Sequence, residues 1–214
     1  MIVPAEVGSH GELLADARAL ETAGAHALWL DVAGAHDPWM LAATLATVTS
    51  RAWLGVIAAP RVDVGSLGAR LRTLDGLTRG RAALRGSAAA VGAMHALGPA
   101  VERCQLFSDA DGGDWSAFGP PVDGLMLSGR GPDEDRERLA LARARVGARR
   151  AATPLECWVE IKLPESHAGW RQTVAAYAAA GADGLLVPMD SRLVDLLRRA
   201  DEDDDRSDLA LSQG

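Results

Sequence analysis

Lysine is almost missing from this chain: Lys162 stands alone, and the other basic residues are arginines. Cysteine is as scarce, and Cys104 and Cys157 lie too far apart in the sequence to suggest a disulfide framework. Aromatics make up 4 % of the residues, six of them Trp beside one Tyr and two Phe. No apolar run approaches the length that spans a bilayer. No basic segment precedes an apolar core near the start, so no secretory signal is expected and a cytoplasmic protein is the default. No basic stripe runs along the chain to neutralise the phosphates of a duplex, which argues against a nucleic-acid partner. HxxxH, CxxC, EF-hand, P-loop and Gly-x-Ser-x-Gly patterns are all lacking, so no metal centre and no elbow-type nucleophile is expected.

What is there fits a globular domain. The 214 residues are 48 % apolar and carry a net charge of −7. Residues 201–214 hold six acids and one arginine, so most of that charge sits in an acidic tail, expected to be disordered. Residues 1–200 then read as one domain.

Within that domain strands and helices alternate. Residues 27–81 set the pattern: the apolar run Ala27–Val32, a helix opened by Asp37-Pro38, a second run Trp53–Ala59, and a helix marked by Leu67, Leu71, Leu74 and Leu77. Before them come a minimal strand at Ile2–Ala5 and a helix with capping-box spacing at Ser9 and Glu12, closed by Gly24. After them come strands at 82–86, 103–108, 122–128, 156–163 and 184–188. The helices predicted between and after these are a weak one in 87–101, one at Pro132–Arg150, one from Ser166 with Trp170, Val174, Tyr177 and Ala178 inward, and a last one ending at Arg199. Residues 109–121 read as a loop. Eight strands alternating with about seven helices imply a parallel sheet closed into a compact (β/α)8 barrel. The rival is an open doubly wound sheet, weakened because no Gly-rich dinucleotide fingerprint follows any strand.

Several ordered motifs resemble the luciferase-like monooxygenase family, the flavin- and deazaflavin-dependent (β/α)8 barrels. They are Trp29-Leu30-Asp31, Asp37-Pro38, the Ala46–Arg51 segment leading to Leu54-Gly55, Thr73–Arg81, Val122-Asp123-Gly124 and Ala180–Gly184. The resemblance covers the first 87 residues well, the last 40 moderately and the middle poorly. It implies oxidoreduction of a small organic substrate with FMN or the deazaflavin coenzyme F420, and pairing of two barrels in a homodimer. The sequence departs from the family at three places. Val32 stands where the family has His, the Gly-rich segment after the fourth strand is reduced to Gly86-Ser-Ala-Ala-Ala, and the long insertion over the active site has no room. Two other readings therefore stand beside the enzyme: a non-catalytic barrel that binds a flavin-like ligand or a partner barrel, and a lyase or aldolase using Lys162.

In such a barrel, function sits at the C-terminal ends of the strands. The resemblance puts Asp31 and Ala58–Ala59 near the cofactor ring, and Arg85 with Ser87 near its phosphate. Asp31 equally reads as a loop cap, and Arg85 as an ion-pair residue. Two other groups are candidate catalytic residues. His36 offers an imidazole, which titrates near neutrality, and Lys162 offers an amine. Along the seventh strand Cys157, Val159, Ile161 and Leu163 face the helices, while Glu156, Trp158, Glu160 and Lys162 face the interior. Glu160 and Lys162 are expected to satisfy each other or Arg85, because an unpaired charge inside a barrel is costly. Contact of Lys162 with a phosphate or substrate, or a Schiff base on it, are the alternatives.

Overall fold

The computed structural model describes residues 1–3, 9–31, 36–58, 64–95, 98, 103–110, 122–146 and 153–198. The predicted acidic tail and the readings on Val32 and Ala59 lie outside these residues. The elements are β1 (Ile2–Val3), α1 (His10–Thr22), β2 (Ala27–Asp31), α2 (Pro38–Leu45), β3 (Trp53–Ile57), α3 (Val64–Thr78), β4 (Ala82–Gly86), α4 (Ala88–His95), β5 (Gln105–Asp109), β6 (Gly124–Ser128), α5 (Pro132–Arg145), β7 (Glu156–Glu160), α6 (His167–Ala180), β8 (Gly184–Leu186) and α7 (Leu193–Arg198). Each strand pairs in parallel with the next, from β1 to β8. Past the end of β8, Ile2 N–H donates to the carbonyl of Val187 at 2.8 Å, and the Ile2 carbonyl accepts from Met189 N–H at 2.8 Å. These bonds close the sheet, so the chain is the expected (β/α)8 barrel and not the open sheet.

Local chemistry starts and stops the helices where the sequence indicates. Ser9, Asp37 and Ser166 each accept a backbone N–H of the first turn of α1, α2 and α6. Gly24 and Gly181 follow α1 and α6 with φ of 101° and 96°, a conformation that costs a residue with a Cβ. Helix α5 ends at Arg145, earlier than its charge pattern suggested, because Val146 turns to extended backbone.

Alternation along each strand divides the core in two. Leu28, Leu30, Leu54, Val56, Leu106, Leu125, Leu127, Cys157 and Val159 pack outward against the helices. Ala27, Trp29, Ala83, Phe107, Met126 and Leu186 fill the barrel interior, with Trp158 beside them. Three rings dominate that interior. Phe107 stands edge to face with Trp29 (5.3 Å between centroids, 81°) and with Trp158 (5.6 Å, 66°). Each ring lies against a glycine directly opposite on the following strand: Trp29 with Gly55, Phe107 with Gly124, Trp158 with Gly184. A Cβ on Gly55 or Gly124 would sit 2.2 Å from the ring carbons, and one on Gly184 would sit 3.0 Å away.

Polar residues clamp the N-terminal ends of the strands. Glu21 of α1 accepts N–H bonds from Ser50, Arg51 and Ala52 at 2.7 to 2.9 Å. Burial alone would raise its carboxyl pKa, but those three amides outweigh it and hold the group below the usual range. Asp123 accepts from Leu106 N–H at 2.8 Å, and Asp183 from Cys157 N–H at 2.7 Å. Each thus ties the start of its own strand to the strand before it.

Three expectations for the helices change. Leu77 is 52 % exposed, and the buried stripe of α3 runs through Asp75 and Thr78 instead. Val174 and Ala178 are exposed, on the walls of a cleft between α6 and α7 and not in the core. Asp135 of the charge-rich α5 is fully buried, bonded to Arg130 N–H, Arg138 and the Tyr177 hydroxyl.

Two results test this packing. Gly55→Ala and Gly124→Ala should each cost more than about 3 kcal/mol in urea unfolding, as overpacking against rigid rings does. Gly76→Ala, in an exposed turn of α3 with nothing within 4 Å of a new Cβ, should stabilise by about 1 kcal/mol. The Glu21 carboxylate, depressed on folding, adds stability above the unfolded carboxyl pKa of about 4.3 and loses it as pH falls through the folded value. The stability gap between wild type and Glu21→Gln should therefore be full at neutral pH and close in acid.

Candidate functional site

The rings floor the barrel, and a polar tier lies above them at the C-terminal mouth. One inward step beyond Trp29 is Asp31, one beyond Ala83 is Arg85, one beyond Phe107 is Asp109, and one beyond Trp158 is Glu160. Arg85 is the pivot. Its Nε donates to Asp109 Oδ1 at 2.6 Å, and both terminal nitrogens donate to Glu160 Oε2 at 3.2 Å. The guanidinium thus joins β4 to its neighbour β5 and reaches β7 on the far side of the mouth. Burial works against its charge, but Asp109 and then Glu160 outweigh that and hold its pKa above the ordinary value. The Arg85 side chain is 11 % exposed, whereas those of Asp109 and Glu160 are 36 % and 37 % exposed. Asp109 Oδ2 and Glu160 Oε1 make no hydrogen bond with a described residue.

The predicted site residues divide around this tier. Asp31 ends β2 half-buried, in register with Ile57, which is in register with Arg85. Ala58 follows β3, and its N–H donates to the carbonyl of Arg85 at 2.7 Å. Ser87 follows β4, and its hydroxyl accepts from Ala90 N–H at 3.3 Å, capping α4. His36 lies away from the pivot, its ring 5.0 Å from that of His10 at 76°. Lys162 comes two residues after β7. It is exposed and pairs with no carboxylate of the described residues, so Glu160 takes Arg85 as its partner and not Lys162. The buried amine that a Schiff-base lysine requires is not found there.

Asp109 is the partner the reading in order placed outside its strand. The fifth strand ends at Asp109 and not at Ser108, and the inward set Gln105, Phe107, Asp109 was the signal for it. Asp190 is committed elsewhere: hydrogen bonds from Arg192 hold its carboxyl down at about 2. At the opposite end of the barrel, a cleft of about 290 Å3 opens between α6, α7 and the start of β8. Trp158, Trp170, Val174 and Leu197 are among its walls. Among the described residues no group of three or more His, Cys, Asp or Glu could hold a metal ion, and no helix is long and apolar enough to cross a membrane.

The tier can accept hydrogen bonds and positive charge. It does not fit a cofactor phosphate at the end of β4, because Arg85 already faces two carboxylates and the group of three carries net negative charge.

No protein-family model matches the sequence, and no characterised protein matches it in sequence. Solved structures do match in shape. A coenzyme F420-dependent tetrahydromethanopterin reductase from Methanopyrus kandleri superposes with a TM-score of 0.70 at 10 % identity, over 94 % of this chain and 96 % of the reductase. A riboflavin lyase, solved with modified FMN and its substrate riboflavin, gives 0.59 at 14 % identity, over 81 % of this chain and 60 % of the lyase. An orotidine 5'-phosphate decarboxylase from Pyrococcus horikoshii gives 0.59 at 12 % identity, over 94 % and 98 %. The first two are in keeping with the luciferase-like resemblance. At such identities the likeness shows a fold, the (β/α)8 barrel, on which enzymes of different chemistry are built.

Proposed function

We propose that this barrel is a flavin-related oxidoreductase of the luciferase-like type, holding an FMN- or deazaflavin-type ring over its C-terminal mouth. The observation that carries the reading is the polar tier of Asp31, Arg85, Asp109 and Glu160, set above a filled interior. It stands on a barrel that follows an F420-dependent reductase over nearly the whole length of both chains. With the interior packed, a ring has room only across the strand ends, beside Asp31 and Ala58. A bound flavin or deazaflavin supplies the hydride chemistry, and the chain supplies orientation. Asp31 and His36 are the chain's candidates for moving a proton at the mouth, and a small organic substrate and a homodimer belong to the same reading. Lys162 stands at its rim.

A second reading is favoured by one observation. Arg85 is engaged by two carboxylates where the family resemblance would have it free for a ligand. A barrel of this type that binds a flavin-like molecule or a second barrel without turnover fits that engagement.

A thermal-shift titration with FMN and, separately, with coenzyme F420 tests the first reading. A ligand at a hundred times its dissociation constant should add about 2.7 kcal/mol of stability. A shift with one of them names the cofactor. A flat response to both in folded protein contradicts the reading and leaves the non-catalytic barrel.

A further inference from the structure

We infer that the end of β4 is not a phosphate site: Arg85 is a strut that locks the mouth, and the ligand taken there is anchored by a neutral or cationic part. The inference deepens the reading above and rests on it for the ligand's ring, but not for the role of Arg85. The argument begins with what phosphate recognition by arginine requires. The guanidinium must present paired N–H groups to the anion's oxygens, and its charge must be uncompensated. Arg85 meets neither condition. Its Nε–H is spent on Asp109 at 2.6 Å, and one N–H from each terminal nitrogen is spent on a single oxygen of Glu160. The guanidinium is also the buried member of the three, with the partly exposed carboxylates beside it toward solvent. Among the described residues, an anion approaching Arg85 therefore meets the carboxylates of Asp109 and Glu160 first.

The surroundings agree with this. Lys162 is exposed and pairs with no carboxylate of the described residues, and Glu160 uses Arg85 instead. Asp109 Oδ2 and Glu160 Oε1, which accept no bond from another described residue, suit an N–H donor or a positively charged group. A flavin ring offers an N–H edge of this kind and carries no phosphate of its own.

FMN and riboflavin share one ring and differ by the phosphate, so their binding ratio isolates it. Tryptophan-fluorescence titration of the wild-type protein should give dissociation constants equal within about threefold, and the ratio should not move in Arg85→Met. An advantage of about tenfold or more for FMN, lost in Arg85→Met, would overturn the inference. Should neither flavin bind, the flavin form of the oxidoreductase reading fails and its deazaflavin form stands, and a second measurement still decides the role of Arg85. Melting temperature is compared in sodium phosphate and in sodium chloride of equal ionic strength. The wild type should show no phosphate-specific rise. The double variant Asp109→Asn/Glu160→Gln, which frees the guanidinium, should gain one that Arg85→Met then removes in the same background. A phosphate-specific rise in the wild type that Arg85→Met abolishes would contradict the inference. So would the lack of any gain in the double variant, because the carboxylates would then not be what bars the anion.

Discussion

Three aromatic rings packed against three facing glycines are the constraint on which the rest of this barrel depends. Trp29, Phe107 and Trp158 each occupy the space that a side chain on the next strand would fill. The register pairs Trp29 with Gly55, Phe107 with Gly124 and Trp158 with Gly184, so a slip of one residue on β3, β6 or β8 would replace a glycine with a side chain in the ring's path. Rings of this size fill a narrow barrel without a cavity, and their edge-to-face contacts add about 1 kcal/mol each beyond their burial. The interior is thereby rigid and closed, and any ligand at the C-terminal end must lie across the strand ends.

The same alternation that places the rings places the charges. Asp31, Asp109 and Glu160 each stand one inward step above a ring, and Arg85 stands one step above the small Ala83, where a long side chain has room to lie across the mouth. A buried guanidinium is tolerated only with its charge met, and Asp109 and Glu160 meet it. The outcome is a mouth braced across three strands by a group whose carboxylates stand toward solvent. This separates two roles that a single arginine could have had, bracing and anion binding, and the contacts assign the first.

Much of the fold was legible because its signals are local. Alternation, N-caps at Ser9, Asp37 and Ser166, and closing glycines mark elements without knowledge of their neighbours. The motifs that carry the family resemblance turn out to be largely fold-building. Gly55, Gly124 and Gly184 make room for rings, Asp123 and Asp183 bond the preceding strand, and Arg81 holds backbone carbonyls of Thr49 and Ala52. Such residues announce a barrel and say little about its chemistry. The site was less legible because it depends on which side chains meet across the mouth. Arg85 and Glu160 are 75 residues apart, and no spacing rule says that Glu160 turns to Arg85 and not to Lys162.

The most direct measurement on this account is the arginine Nε–H region of a nitrogen–proton NMR spectrum. The bond from Arg85 to Asp109 at 2.6 Å predicts a resolved Nε–H resonance that exchanges slowly with water and is lost or shifted in Asp109→Asn. An Arg85 Nε–H that exchanges as fast as those of exposed arginines would contradict the strut, and with it the acidic mouth on which the ligand's chemistry has been argued.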